Sequence, residues 1–124
     1  MTIYISHATN FDFKNELYLP IRKASINNQY TFILPHETNN MPYETKALFA
    51  SKKCNLIIAE CSHPSTGQGI ELGYADMLKI PVVCLYKYDA KISGSLKIIT
   101  DIFLTYNTAG DMIETIERYL KKNV

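Results

Sequence analysis

Tryptophan is absent from this sequence of 124 residues, and there are three cysteines. An odd number of cysteines excludes a framework in which every cysteine forms a disulfide. We expect Cys54 and Cys84 to be reduced and buried, and Cys61 to end a strand. No apolar run is long enough to cross a bilayer. The chain begins in an apolar strand instead of a signal peptide, so we expect a cytoplasmic protein that does not act at membranes.

The sequence also lacks an excess of charge of one sign. Thirteen basic and twelve acidic residues give a net charge of +1. Binding to nucleic acid depends largely on clustered positive charge, which is missing here, so we expect no nucleic-acid partner. Neither an internal repeat nor a low-complexity linker divides the chain. We therefore expect a single domain that covers residues 1–124.

Short apolar runs alternate with segments of helical spacing five times. Strands are predicted at residues 2–5, 31–34, 56–59, 82–86 and 102–106. The run Leu56–Ala59 is rich in β-branched residues and uninterrupted, which is typical of a parallel strand buried on both faces. The alternation predicts an α/β domain with three layers. Its five-stranded parallel sheet is doubly wound in the flavodoxin-like order 2-1-3-4-5.

The helix boundaries are predicted from capping residues and prolines. Asp12 can cap the first helix, which Pro20 should kink or divide near Leu19. A second helix is predicted over residues 43–52. The third is predicted from Ile70 and ends before Pro81, because the residue preceding a proline disfavours the helical region. Thr108 or Asp111 can cap the last helix, and residues 96–99 form at most one helical turn.

The loops after the first and third strands are the expected binding region. In an open parallel sheet, ligands bind at the carboxyl ends of the strands, where the strand order reverses. Right-handed crossovers place residues 6–10 and 60–69 on the same edge of the sheet. We therefore expect the two loops to face each other across one cleft, with Ser6 and His7 on one side.

Glu71 is the leading candidate for chemistry in this region. A carboxylate can attack an anomeric carbon and form a covalent ester that water or another acceptor resolves. Gly67 and Gly69 are predicted to let the backbone of a polar loop approach a ligand, while Ser65 binds a sugar hydroxyl or a phosphate. Glu71 is predicted just inside the helix start, where the helix dipole favours an ionised carboxylate. The alternative is that Glu71 merely complements that dipole.

Two other site types have weaker support in the sequence. The segment from Gly67 to Leu72 fails the dinucleotide-binding pattern at its third glycine. His7, His36 and His63 follow the first three strands and could share one edge of the sheet. However, no short ligand spacing supports a metal site. The chain also has nine tyrosines, and a further hypothesis is that one or two of them stack on a base.

The central stretch resembles the nucleoside 2-deoxyribosyltransferase family, including its 2'-deoxynucleoside 5'-phosphate N-hydrolase branch. The resemblance depends on the segment 57–60, on Pro64-Ser65, Gly67, Gly69, Glu71-Leu72-Gly73 and Ala75, and on the segment 80–85. The pattern Pro-Ser-x-Gly-x-Gly-x-Glu-Leu-Gly after a buried strand is its most specific part, about twenty residues in all. The opening Ile-Tyr-Ile at residues 3–5 extends the similarity in layout over most of the domain.

The resemblance implies cleavage of an N-glycosidic bond in a nucleoside or nucleotide. Glu71 would attack C1' of the sugar, Ser65 would bind the 5' side of the sugar or its phosphate, and Tyr4 would lie near the nucleophile. The serine that matches Ser95 reaches into the neighbouring subunit in the hydrolase branch, which implies a homodimer. Neither a metal nor an organic cofactor is expected.

The sequence departs from the family at three places. The family's catalytic aspartate in the helix before the central strand falls on Ala47, and another aspartate falls on Asn55. Glu44 shares a helix face with Ala47 and could take over the catalytic role. The phosphate-binding loop after the first strand, residues 7–10, has no arginine. For the acid that protonates the leaving base, the sequence leaves these alternatives open: His7, His63, Glu44 and Glu37.

The leading hypothesis is an N-ribosyl hydrolase or transferase that acts through Glu71. Whether water or a second base reaches the covalent intermediate is left open. Ala47 and the altered first loop motivate the alternative of a non-catalytic nucleotide-binding or signalling module on the same fold. A metal-assisted hydrolase that uses the histidines is a third alternative.

Overall fold

A computed structural model describes residues 1–38 and 43–123. Five parallel strands form one sheet in the order β2-β1-β3-β4-β5, which confirms the predicted fold class and strand order. Each strand lies within one or two residues of its predicted bounds. The strands are β1 (Thr2–His7), β2 (Thr31–Ile33), β3 (Leu56–Glu60), β4 (Val82–Lys87) and β5 (Phe103–Tyr106).

The first helical segment changes its type where a division was predicted. A π-helical turn, Lys14–Tyr18, passes into helix α1 (Leu19–Lys23) at Leu19. Pro20 lies at the start of α1, where its missing N–H costs no helical hydrogen bond. A 3-10 turn, Ser25–Asn28, follows. The wider π turn brings Tyr18 to the carboxyl edge of the sheet, where its hydroxyl contacts His7.

The third helix begins four residues earlier than predicted. Helix α3 (Thr66–Met77) is capped by Ser65, whose hydroxyl accepts the Gln68 N–H at 3.4 Å. The prediction of a polar loop that extends to Gly69 was therefore wrong. Gly67 and Gly69 lie in the first turn of the helix, because a capping serine satisfies the helix start despite the low helix propensity of glycine.

The other helices lie close to their predicted bounds. Helix α2 (Thr45–Ala50) is shorter than predicted, and part of the polar loop before it lies outside the described residues. Helix α4 (Ala109–Asn123) follows Thr108, whose hydroxyl accepts the Asp111 N–H at 3.2 Å. A 3-10 turn, Gly94–Ile98, stands where one helical turn was predicted. Within the described residues, no helix has both the length and the apolar character that a bilayer crossing requires.

Helices cover both faces of the sheet and create two hydrophobic layers. Along β1, Ile3 and Ile5 face the layer under α1 and α4, while Tyr4 faces the layer under α2 and α3. This alternation follows from the two-residue period of a strand. The even-numbered residues of β1 therefore point toward α3. All three cysteines are free and buried, including Cys61, which was expected at a strand end.

Leu72 and Ile70 provide a matched test of how α3 is anchored. Leu72 is fully buried under the sheet, whereas Ile70 on the same helix is 68% exposed. We expect Leu72→Ala to lower the free energy of unfolding by about 2–5 kcal/mol. Ile70→Ala should change it by less than about 0.5 kcal/mol. Denaturant unfolding measures both, and equal losses would contradict the described packing of α3.

Candidate active site

A cleft of about 350 Å³ opens at the carboxyl edge of the sheet. The loop after β1 and the start of α3 face each other across it, as the strand order predicts. Its wall therefore combines residues that are far apart in sequence. The lining residues are Tyr4, His7, Thr9, His36, Tyr43, Thr45, Ser65, Gly67, Gln68 and Glu71.

The Glu71 carboxylate is held by two hydroxyl groups from different elements. Tyr4 on β1 donates to Oε2 at 3.0 Å, and Thr45 at the start of α2 donates to the same oxygen at 3.2 Å. The two hydroxyls are themselves 3.2 Å apart. Among the described residues, no hydrogen bond reaches Oε1. The carboxylate is thus held through one of its two oxygens.

Burial dominates the electrostatics of Glu71. Removal from water raises the pKa of this carboxyl, and the hydroxyls of Ser6, Tyr4 and Thr45 lower it in part. The prediction that the helix dipole favours ionisation was wrong, because α3 begins at Thr66 and Glu71 lies in its second turn. The influence of the dipole falls off within the first turn.

Ser6 contributes a buried hydroxyl beneath the carboxylate. Its Oγ is the buried side-chain oxygen that has no hydrogen-bond partner within residues 1–38 and 43–123. The hydroxyl does not reach hydrogen-bond geometry with Glu71, but it lies close enough to lower the pKa of that carboxyl. Ser6 therefore lies below Glu71 and outside the lining of the cleft.

His7 lines the cleft as a neutral ring with a fixed tautomer. A carbonyl oxygen cannot donate, so Nδ1–H donates to Ala8 O at 2.6 Å. Nε2 accepts the Tyr18 hydroxyl at 2.6 Å, and the Tyr18 oxygen accepts the His36 backbone N–H at 3.0 Å. Burial, with a smaller contribution from the neighbouring His36, lowers the pKa of His7 to about 4, although the hydrogen bond to Ala8 O opposes this shift in part. His7 is therefore uncharged at neutral pH, with both ring nitrogens occupied by the protein.

Aromatic side chains surround His7 at this edge of the sheet. The His7 ring lies 4.6 Å from the Phe13 ring and 5.7 Å from the His36 ring, measured between centroids. His63 stacks on Phe11 at 4.4 Å and does not line the cleft. Within the described residues, no three histidine, cysteine or acidic side chains converge as metal ligands would. The alternative of a three-histidine metal centre has no support from these residues.

The predicted ligand-binding residues divide between two adjoining pockets. Ser65 and Gly67 line the cleft together with Glu71. Gly69 and Ser95 line a second pocket of about 400 Å³, which shares Ser65 and Gln68 with the cleft. Binding through a second copy of Ser95, like the homodimer itself, stays a prediction of the family resemblance.

The two glutamates that were alternatives for the acid, Glu44 and Glu37, lie outside the cleft. Glu44 is exposed and precedes α2 as its N-terminal flanking residue, and Ala47 is exposed on the same helix. Glu37 forms an ion pair with Arg22, with an Nε–Oε2 distance of 2.8 Å, and the guanidinium lowers the pKa of this carboxyl. Neither Glu44 nor Glu37 lies among the residues that line the cleft with Glu71.

A buried carboxylate beneath the cleft orders the connection from β3 to α3. Glu60 accepts the Ser62 backbone N–H at 2.7 Å, the Ser62 hydroxyl at 2.8 Å and the Tyr106 hydroxyl. The Gln68 side-chain amide donates to the Glu60 carbonyl at 3.0 Å. The last residue of β3 thus fixes both ends of the short loop that precedes Ser65.

Thr45, Gln68 and Tyr18 are site residues that sequence reasoning missed. Thr45 directly follows Glu44, which was the predicted catalytic carboxylate of this helix, and the Thr45 hydroxyl contacts Glu71. Gln68 lies between the two glycines of the motif, and Tyr18 is a core-facing residue of the first helical segment. The polar residue between the two glycines was a usable signal for Gln68. Nothing local distinguishes Tyr18 from a core residue.

Positive charge is scarce in the cleft. Of the residues that the structure describes there, none is lysine or arginine. His7 is neutral at physiological pH, as its pKa of about 4 requires. The start of α3 is the remaining feature of the cleft that can attract an anion, because the first backbone N–H groups of a helix have no helical partner.

No family model matches the sequence. A segment of 42 residues, 34% of the chain, is 49% identical to a protein of Methanosarcina barkeri that is assigned as a candidate 2'-deoxynucleoside 5'-phosphate N-hydrolase. This segment corresponds to 26% of that protein, so the match spans about a quarter of the length of this curated relative.

A solved structure matches nearly the whole fold. The CMP N-glycosidase BcmB of Clostridium botulinum superposes with a TM-score of 0.65 over 94% of this chain and 99% of that one. At 16% sequence identity, this match shows a shared fold alone. The chain is thus distantly similar in sequence to a protein assigned as a nucleotide N-hydrolase and shares the fold of a CMP N-glycosidase, which confirms the resemblance to the nucleoside 2-deoxyribosyltransferase family that the central motif predicts.

Proposed function

We propose that this protein cleaves the N-glycosidic bond of a nucleoside or nucleotide with Glu71 as the nucleophile. The observation that carries the proposal is the Glu71 carboxylate, held by Tyr4 and Thr45 through one oxygen and open to a cleft of about 350 Å³. The substrate class is proposed from the names of two similar proteins, a candidate 2'-deoxynucleoside 5'-phosphate N-hydrolase and a CMP N-glycosidase.

The geometry around Glu71 suits covalent glycosyl chemistry. Oε1 would form an ester bond to C1' of the sugar as the bond from C1' to the base nitrogen breaks. Donors fixed on Oε2 limit rotation of the carboxylate, so less orientational freedom is lost when the substrate reacts. Burial strengthens the interaction of the ionised carboxylate with a cationic sugar transition state. Water then resolves the ester in a hydrolase, and a second base resolves it in a transferase.

The start of α3 is the natural place for the 5' side of the sugar. Ser65 lines the cleft beside Gly67, and the first backbone N–H groups of α3 have no helical partner. These donors suit a 5'-hydroxyl or a phosphate oxygen. A sugar bound there would lie between the helix start and the Glu71 carboxylate.

Replacement of the nucleophile tests the proposal directly. With a panel of cytidine, deoxycytidine, adenosine, deoxyadenosine and their 5'-monophosphates, we expect Glu71→Gln to lower kcat by about 10⁴-fold or more. The amide has nearly the same shape but cannot form the ester. Release of free base, resolved by chromatography, is the measurement.

Glu114→Gln is the matched control, because Glu114 is exposed on α4 away from the cleft. Base release that persists unchanged in Glu71→Gln would remove the nucleophile assignment. Binding of panel members without any turnover would instead favour a non-catalytic nucleotide-binding module, the alternative that Ala47 motivates.

Tyr4→Phe tests whether the hydroxyl contact tunes Glu71. The Tyr4 hydroxyl lowers the pKa of Glu71, so its removal should raise that pKa further. The nucleophile acts in its ionised form, and the acidic limb of the profile of kcat/KM against pH should therefore move to higher pH. The activity loss should be larger at the acidic end than at the alkaline end. Tyr88→Phe, at a side chain that is 73% exposed, is the control, and a uniform loss across pH would contradict the prediction.

The scarcity of cations predicts a weak preference for phosphorylated substrates. A charge-assisted contact contributes about 1.5–3 kcal/mol, and among the described residues no lysine or arginine lines the cleft to provide one. We expect kcat/KM for a 5'-monophosphate to exceed that for the matching nucleoside by less than about tenfold. Steady-state kinetics on matched pairs measures this ratio. A preference of about 100-fold or more would show that a cation reaches the phosphate.

A further inference from the structure

The cleft holds few groups that can give a proton to a departing base. Its titratable side chains among the described residues are Tyr4, His7, His36, Tyr43 and Glu71. Glu71 is committed to the sugar under the proposed function. Helix α2 has no acidic residue, so a donor must come from another element of this chain.

Two of these groups are already engaged. The Tyr4 hydroxyl donates to Glu71, and burial raises the pKa of Tyr4 far above its ordinary range. His7 uses Nδ1–H for Ala8 O and Nε2 for the Tyr18 hydroxyl, so neither nitrogen is available to a ligand. Protonation of His7 would also break its bond from Tyr18, which agrees with its low pKa.

The donors considered outside the cleft are less well placed. Glu37 is ion-paired with Arg22, and Glu44 is exposed beyond the lining. His63 is stacked on Phe11 and does not line the cleft. Tyr43 lines the cleft but is 41% exposed, so water competes with a ligand for its hydroxyl.

His36 has the position and the chemistry that remain. It lies in the turn after β2, half-buried, and its side chain lines the cleft that contains Glu71. Its backbone N–H is fixed by the Tyr18 hydroxyl at 3.0 Å, and its ring stands perpendicular to the His7 ring at 5.7 Å. The backbone of His36 is therefore anchored, and its imidazole packs against the rings of His7 and Phe13 at the wall of the cleft.

We propose that His36 is the catalytic acid that protonates the departing base. The inference depends on the proposed function of Glu71. As Glu71 bonds to C1', the electron pair of the broken bond stays on the base, and the imidazolium gives its proton to a base nitrogen. In hydrolysis, the neutral imidazole then takes a proton from the water that attacks C1' and releases Glu71.

The charges around His36 define its pH dependence. Glu71 lines the same cleft, and His7 beside His36 is neutral because its pKa is about 4. Because the imidazolium is the acid, kcat/KM should decline on the alkaline side of the profile. The ionisable groups that face His36 or adjoin it are Tyr4, His7, Tyr18, Glu37 with Arg22, Tyr43 and Glu71.

His36→Gln tests this assignment with two kinds of leaving group. On the best nucleoside of the panel, we expect kcat/KM to fall by about 10²–10⁴-fold. On a nitrophenyl riboside, whose phenolate leaves without a proton, it should fall by less than about tenfold. The alkaline limb of the nucleoside profile should also disappear. Glu71→Gln should abolish both reactions, because both need the nucleophile.

His63→Gln is the matched control, since it changes the other histidine at this edge of the sheet, outside the cleft. Thermal unfolding checks that His36→Gln folds, as expected because the backbone of residue 36 makes the bond to Tyr18. Equal losses on both leaving groups, or an alkaline limb that survives, would overturn the role of His36 and leave Glu71 standing. If the native protein does not cleave the nitrophenyl riboside, the test of His36 depends on the nucleoside profile alone: the alkaline limb must disappear in His36→Gln. No base release from any substrate would overturn the proposed function, and this inference with it.

Discussion

The parallel pairing of β1 with β3 is the constraint on which the site depends. The register sets Tyr4 beside Ile57, Ser6 beside Ala59 and His7 beside Glu60. Because side chains alternate along a strand, Tyr4 and Ser6 point toward α3 and meet Glu71 from below. The same pairing ends both strands at one edge, so the loops that follow share a cleft. A slip of one residue would turn Tyr4 away from Glu71 and move Ile5 toward it.

Much of the fold was predictable because buried parallel strands have a strong local signal. Short apolar runs located all five strands, and their alternation with helices predicted a parallel sheet whose expected order the structure confirms. The start of α3 was predicted four residues too late. Gly67 and Gly69 have low helix propensity and were assigned to the loop, although Ser65 caps the helix before them. The same error placed Glu71 too close to the helix start. The dipole was therefore expected to favour its ionised form, but the influence of the dipole falls off within the first turn.

The candidate site was less predictable, because its decisive contacts are tertiary. Glu71 and Ser65 could be found from a motif in continuous sequence. Thr45 could not, because a hydroxyl 26 residues before Glu71 has no local signature. The fixed tautomer of His7 likewise depends on Tyr18, which reads as a core position in the sequence. Hydrogen-bond partners across elements follow only once the packing of the helices on the sheet is known.

Ser65 has a double position, as the cap of α3 and as part of the cleft wall. A hydroxyl has one proton to donate and two lone pairs to accept, so Ser65 can bind a ligand oxygen while it still accepts the Gln68 N–H. Ligand contact and helix capping are therefore compatible at one atom. A ligand bound to the Ser65 hydroxyl would also reduce fraying of the first turn of α3. Occupancy of the cleft and order at the helix start are in this way thermodynamically linked.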